Sequence, residues 1–244
     1  MREIRCFVPM PLPTGSVVEL PELAAGHLLR VLRLGPGAGV TLFNGDGFDY
    51  PAQIEAARKQ RCSVRIEHGI PNPNESPLRS VLLQSVARGE KMDLILQKAC
   101  ELGVSEVCPV ITERTEVRLD GERAERRHGH WLGVLRGAAE QSGRARVPRL
   151  APLRTLADAL AQLPAGKRVL LAPDAPHALS LIPLDADPAV QLLIGPEGGL
   201  GERDLHTARA AGFAAARLGP RILRTETAGL AALAVLQARW GDLS

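Results

Sequence analysis

Leu193-Ile194-Gly195-Pro196-Glu197-Gly198-Gly199-Leu200 and, downstream, Leu218-Gly219-Pro220-Arg221-Ile222-Leu223-Arg224-Thr225-Glu226-Thr227-Ala228-Gly229 are the segments on which the reading of this chain turns. Each is a glycine-rich loop that leaves an apolar, strand-like run and enters a helical one, which points to one ligand site at the ends of two strands. A phosphate cradle needs several free backbone N–H groups and no nearby anion. The first loop instead carries Pro196, which has no N–H, and Glu197. Neither the Gly-x-Gly-x-x-Gly nor the Gly-x-x-x-x-Gly-Lys-Ser/Thr pattern can be laid over it. A flat, uncharged ring joined to a cationic group suits such a loop better, and S-adenosylmethionine (SAM) is a ligand of that kind.

Outward from these loops, strand and helix alternate. Ser80–Ala87, Val107–Ile111, Arg168–Leu171, Val190–Ile194 and Ala214–Leu218 are short apolar runs that read as strands. Between them, helical spacing appears over Glu90–Leu102, closed by Gly103, and again near Glu122–Gln141, Glu202–Ala211 and Thr225–Trp240. Continuous apolar strands separated by helices predict an α/β domain with a parallel sheet covered on both faces.

Upstream the pattern is different. Pro71-Asn72-Pro73-Asn74-Glu75-Ser76-Pro77 cannot continue a helix or a central strand and reads as a linker. Before it, Val40–Phe43, Tyr50–Ala56 and Cys62–Glu67 are strand-like, Asn44-Gly45-Asp46-Gly47 is a turn signal, and one helix is expected over Pro21–Leu32. The expected organisation is a small β-barrel at 1–70, a linker at 71–77 and the α/β domain at 78–244.

At 244 residues the chain is long enough to bury a substantial core without disulfides. Cys6, Cys62, Cys100 and Cys108 form no Cys-x-x-Cys pair, so reduced thiols are expected rather than a zinc or redox site. His128-x-His130 has no companion at ligand spacing, and no metal is expected. The N-terminus shows no charged-then-apolar signal pattern, and no apolar run approaches the ~20 residues needed to cross a bilayer. A soluble, cytoplasmic protein with no membrane partner is the expectation.

The net charge of +3 argues neither for nor against nucleic acid. Lysine occurs only at positions 59, 91, 98 and 167, so nearly all the positive charge is arginine, the side chain shaped to grip phosphate. Arg136, Arg144, Arg146, Arg149 and Arg154 form a cluster broken by a single acid, Glu140. Either a solvated face or an RNA contact accounts for it.

His27-Leu28-Leu29-Arg30-Val31-Leu32-Arg33, Phe43-Asn44-Gly45-Asp46-Gly47, Gln97-Lys98-Ala99-Cys100-Glu101-Leu102-Gly103-Val104, Ala139-Glu140-Gln141-Ser142-Gly143-Arg144 and the two glycine-rich loops, in that order, resemble the bacterial 16S rRNA uracil-N3 methyltransferases, a family of the knotted SPOUT superfamily. Cys100 departs from the threonine that is more frequent there. The resemblance implies an N-terminal PUA-like barrel, a C-terminal α/β domain with a deep trefoil knot, a homodimer, SAM as methyl donor, and 16S rRNA within the small ribosomal subunit as partner.

It also implies residue roles. Adenosine is placed among the loops after the strands ending at Leu171, Ile194 and Leu218, with Gly195, Glu197, Gly198, Gly199, Gly219, Leu223 and Thr225 as further contacts. Methylating N3 requires loss of the imide proton, and the resulting charge on N3 and the flanking carbonyl oxygens calls for a cation or N–H donors. Arg224 is the candidate by position. Glu226 is assigned to accept the proton or orient Arg224, its other reading being a carboxylate favoured by a helix N-terminus. Thr225 or Thr227 is expected to cap that helix. Arg5, Arg30, Arg33, Arg88, Lys91, Lys98, Arg114, Arg144 and Arg146 are the candidate phosphate contacts. The rival readings are a SPOUT ribose 2'-O-methyltransferase, separated by its product, and a non-catalytic RNA-binding assembly factor, separated by failure to bind SAM.

Overall fold

The computed structural model describes residues 4–59, 61–117 and 119–243. Residues 1–3 and 60 of the expected 1–70 domain, and 118 and 244 of the expected 78–244 domain, lie outside the described residues. The chain forms two compact units, one of Met1–Glu75 with Ala139–Val147 and one of Ser76–Ala138 with Pro148–Ser244.

The first unit contains β1 (Arg5–Phe7), β2 (Val17–Glu19), α1 (Glu22–Gly26), β3 (Gly39–Phe43), β4 (Phe48–Arg58), β5 (Arg61–Ile66) and β6 (Ile70–Pro71). Its sheet runs β1-β3-β4-β5-β2, with β6 on β4, and only the β1/β3 pair is parallel. Among the described residues β1 and β2 are the ends of this path. The predicted β3–β4 turn forms because Gly45 and Gly47, both at φ +97°, accept a backbone that side chains resist, while Asn44 Oδ1 and Asp46 Oδ1 take the N–H groups of Asp46 and Phe48. Strict alternation along β5 turns Cys62, Val64 and Ile66 inward against Ala25 and Leu28. The helix expected in one piece over Pro21–Leu32 instead widens after Gly26 into a π-helical turn, His27–Val31.

Residues 139–147 complete this unit through polar contacts. Arg5 makes two hydrogen bonds to the Asp49 carboxylate, at 2.8 and 2.6 Å, and a third to the Arg144 carbonyl at 3.2 Å. The Phe7 N–H donates to Glu140 Oε1, Asn72 Nδ2 donates to the Gly143 carbonyl, and Arg144 pairs with Glu75 at 2.7 Å. The predicted linker thus carries specific partners of its own.

The second unit contains β7 (Arg79–Ser85), α2 (Lys91–Glu101), β8 (Glu106–Ile111), α3 (Gly121–Ser142, its last turn counted with the first unit), β9 (Arg149–Leu150), β10 (Arg154–Thr155) and α4 (Leu156–Leu160). There follow β11 (Lys167–Leu171), a 3-10 turn (Leu179–Leu181), β12 (Ala189–Ile194), α5 (Glu202–Ala210), β13 (Ala214–Ala216) and α6 (Thr225–Trp240). All strand pairs are parallel, in the order β10-β8-β7-β12-β11-β13 with β9 on β8. β7 and β12, at the centre, are buried along almost their whole length, their largely apolar runs taking Ser80, Gln84, Ser85 and Gln191 inside with them. In α6, Leu233 and Leu236 are buried within the chain itself, whereas Leu230 and Ala234 are half-buried.

Gly103 ends α2 at φ +75°, its N–H bonded to the Cys100 carbonyl and the Val104 N–H to the Ala99 carbonyl. A Cβ there would lie 2.6 Å from Gln237 Nε2. That amide cannot simply swing away, because Gln237 is fully buried, donates to the Leu102 carbonyl and accepts from Ser76 Oγ. Gly103→Ala is therefore expected to destabilise the protein by more than ~1 kcal/mol, a fall in Tm of roughly 2–4 °C per kcal/mol for a chain of this size, measured by calorimetry.

Candidate functional site

The carboxyl ends of β11, β12 and β13 open into a cavity of about 390 Å³. Leu171, Ile194, Gly195, Glu197, Leu218, Gly219, Leu223, Arg224 and Thr225 line it together with Lys91, Pro173, Arg221 and Ile222. Both glycine-rich loops therefore do face one space. Gly198 and Gly199 support the first loop without lining the cavity.

The loop geometry explains its glycines one by one. A Cβ on Gly195 would stand 2.9 Å from the Leu200 nitrogen and 3.1 Å from the Gly199 carbonyl carbon, backbone atoms that cannot yield cheaply. Gly199, at φ +71°, closes a turn in which its N–H donates to the Pro196 carbonyl. Gly198 has more room, with its nearest neighbour 3.4 Å away on Arg114, whose guanidinium donates to the Gly198 carbonyl at 2.8 Å.

The two loops are joined through Thr225. Its hydroxyl donates to the Gly195 carbonyl at 2.6 Å and accepts from Gln84 Nε2 at 3.0 Å. This corrects the capping expectation. Arg224 occupies the N-cap position of α6, its carbonyl taking the N–H groups of Thr227 and Ala228, and no side chain caps the helix there. Thr225 is spent on the neighbouring loop instead. Gln84 was not singled out from sequence, although a polar residue inside the apolar run of β7 was the available signal.

Glu197 accepts from the Arg88 backbone N–H at 3.2 Å and from Lys91 Nζ at 3.1 Å. Partial burial pushes its carboxyl up, but backbone N–H groups and the Lys91 ammonium outweigh burial and hold it below the ordinary carboxylate range. The contact is thus present at neutral pH and is lost only as acidification passes through that lowered value. Glu226 does not line the cavity; its Oε2 lies 3.5 Å behind Lys91 Nζ. Arg224 does line it and is exposed.

The candidate phosphate contacts separate into two groups. Arg5 and Arg144, with side chains 8% and 6% exposed, are paired with Asp49 and Glu75. Arg30, Arg33, Arg88, Arg114 and Arg146 are exposed, although Arg88 pairs with Glu116 and Arg146 donates to the Asp46 carbonyl. Lys98 is held by Glu101 one turn away. Among the described residues no group of three metal-ligating side chains is found, and His130 is bonded to Asp93. All four thiols are buried, and burial, followed by neighbouring Glu140 and Glu106 respectively, raises Cys6 and Cys108 to about 12. No helix of the described residues is long and apolar enough to cross a membrane.

A parallel sheet with its cavity at the strand ends and a separate small sheet unit matches one class of protein. The RNA methyltransferase domain model covers residues 74–237, and the RNA methyltransferase PUA domain model covers residues 24–67. The chain is 30% identical to ribosomal RNA small subunit methyltransferase E of Mycobacterium tuberculosis, over 93% of this chain and 89% of that one. Two solved structures superpose over the full length of both chains: a Legionella pneumophila methyltransferase in complex with SAM (TM-score 0.95, 38% identity) and ribosomal RNA small subunit methyltransferase E of Neisseria gonorrhoeae bound to SAM (TM-score 0.93, 39% identity). The chain belongs to the ribosomal RNA small subunit methyltransferase E family.

The two groups of arginines differ in what their removal does. Arg144→Ala should lower stability by about 2 kcal/mol, since it strips Glu75 of a charged partner, and should leave the salt dependence of RNA binding unchanged. Arg33→Ala should leave the urea midpoint in place and reduce the salt slope by about one. Urea titration and filter binding at several salt concentrations separate them.

Proposed function

We propose that this protein transfers a methyl group from SAM to N3 of a uridine in the decoding region of 16S rRNA, acting as a homodimer on the small ribosomal subunit. The observation that carries the reading is a nucleoside-sized cavity whose two walls are the glycine-rich loops and whose edge presents Arg224. The SAM-bound relatives of matching fold support the donor.

Leu171, Ile194, Leu218 and Leu223 supply apolar walls for an adenine ring, while Gly195 and Gly219 let the backbone approach it closely. When bound, SAM supplies an electrophilic methyl group. The protein's part is to align N3 with that group, which can account for much of the rate, and to favour the charge that appears on the base when N3 loses its proton. Arg224 is the cation for that purpose. Glu226, set back behind Lys91, fits orientation of that ammonium better than direct proton removal.

The remaining proposals concern architecture. The boundaries 1–70, 71–77 and 78–244 are kept as an RNA-binding domain, a linker and a methyltransferase domain. A trefoil knot is supported by the connection between β11 and β12: Leu179 N–H donates to the Arg217 carbonyl, Arg217 N–H donates to His177, and the 3-10 turn packs on α6. The chain leaving β13 for α6 therefore passes beside that connection. A dimer is supported by Leu181 and Ile222, 73% and 83% exposed on the same unit as the half-buried Leu230 and Ala234.

Primer extension on 16S rRNA from cells with and without the gene tests the activity. A decoding-region stop present only in cells with the gene is expected; an unchanged pattern rejects N3 as the target. Calorimetry tests the donor site: Gly195→Ala should weaken SAM binding by at least about 10-fold, roughly 1.4 kcal/mol, and Gly198→Ala should barely change it. Arg224→Ala should lower kcat by on the order of 10²-fold while SAM affinity holds.

A further inference from the structure

Lys91 is the one lysine on the cavity wall, and its surroundings do not resemble those of a phosphate contact. It opens α2, directly after the strand that neighbours β12. Its ammonium meets two carboxylates that come from the two glycine-rich segments: Glu197 Oε1 at 3.1 Å, beyond β12, and Glu226 Oε2 at 3.5 Å, in the first turn of α6. Glu226 Oε2 is buried and, among the described residues, has no hydrogen-bond partner, so Lys91 is the cation that balances it.

An ammonium carries three N–H donors and no acceptor. Glu197 takes one of them, and Glu226 pairs with the charge at 3.5 Å without a hydrogen bond, which leaves N–H donors for a ligand in the cavity. A four-carbon side chain is ordinarily free to swing, but one held from two directions has lost that freedom before any substrate arrives. Such pre-organisation is what electrostatic catalysis requires. The other charged groups around this cluster are Arg88, which gives its backbone N–H to Glu197 and its guanidinium to Glu116, and Arg221 and Arg224 on the segment before α6.

We infer that Lys91 is a second catalytic cation, aimed by Glu197 and Glu226 at a carbonyl oxygen of the target uracil; this rests on the N3-uridine reading above. In the step concerned the N3–H bond breaks, its electron pair stays on the base and the proton passes to solvent. The negative charge spreads onto the two carbonyl oxygens flanking N3. Lys91 stabilises it at one of them. Glu197 and Glu226 act as positioning residues, reaching the reaction through the ammonium they hold.

The test uses the full-length protein, Lys91→Met and Lys91→Arg, with SAM affinity by calorimetry and single-turnover formation of N3-methyluridine on small-subunit particles followed by mass spectrometry. Lys91→Met is expected to keep SAM affinity within about twofold while the methylation rate falls roughly 10²-fold. Lys91→Arg should restore most of the rate. The deficit of Lys91→Met should also narrow at alkaline pH, where the base ionises without help. Glu226→Gln should show a smaller loss with the same pH signature, which guards against a folding defect confined to Lys91→Met. A wild-type rate in Lys91→Met overturns the inference, as does a loss of SAM affinity that accounts for the whole effect, since Lys91 would then be holding the cofactor. Absence of N3-methyluridine from the wild-type reaction overturns the underlying reading itself and the inference with it.

Discussion

A single hydroxyl ties together the three pieces of chain that make the cavity. Thr225 Oγ1 donates to the Gly195 carbonyl and accepts from Gln84, so the first residue of α6, the loop after β12 and the end of β7 share one buried junction. Gln84 is itself fully buried, and its amide also donates to the Ser85 carbonyl, which fixes its plane. The absence of a side chain at Gly195 lets its own loop fold tightly, since a Cβ there would stand 2.9 Å from the Leu200 nitrogen. This part of the cavity wall is therefore held by uncharged groups, a hydroxyl, an amide and a backbone carbonyl.

Much of the fold was legible. The apolar runs of β7, β8, β11 and β12 announce a parallel sheet because strands buried on both faces have no polar face to show. The helices α2, α3, α5 and α6 are long enough for their periodicity to register. What escaped were β1, β2, β6, β9, β10 and α4, elements of two to five residues whose burial follows from tertiary pairing and not from any local pattern. The strand order of the first unit was likewise invisible, since it depends on which strands meet.

The site was legible in part and for an identifiable reason. Glycines announce loops, and the loops fell where expected. Charges announce nothing about their partners. Arg5, Arg144 and Lys91 all looked like phosphate contacts because arginine and lysine side chains are long and positive. The acids that claim them, Asp49, Glu75, Glu197 and Glu226, are far away in sequence, and no spacing rule relates them. Within the arginine cluster, the Arg144 guanidinium and the backbone N–H of Arg146 both address Glu75.

That pairing bears on how the protein is made. The first unit is discontinuous: its sheet is complete by residue 71, but the segment that satisfies the Phe7 N–H and neutralises Glu75 lies at 139–147. A chain emerging from the ribosome at ~5–20 residues per second delivers that segment roughly 4–15 s after Glu75. Throughout this interval the N-terminal sheet lacks its clasp, with Glu75 still waiting for a cation. The small domain is first in the chain but is not finished when its own sheet is, and it matures only when the middle of its neighbour has been translated.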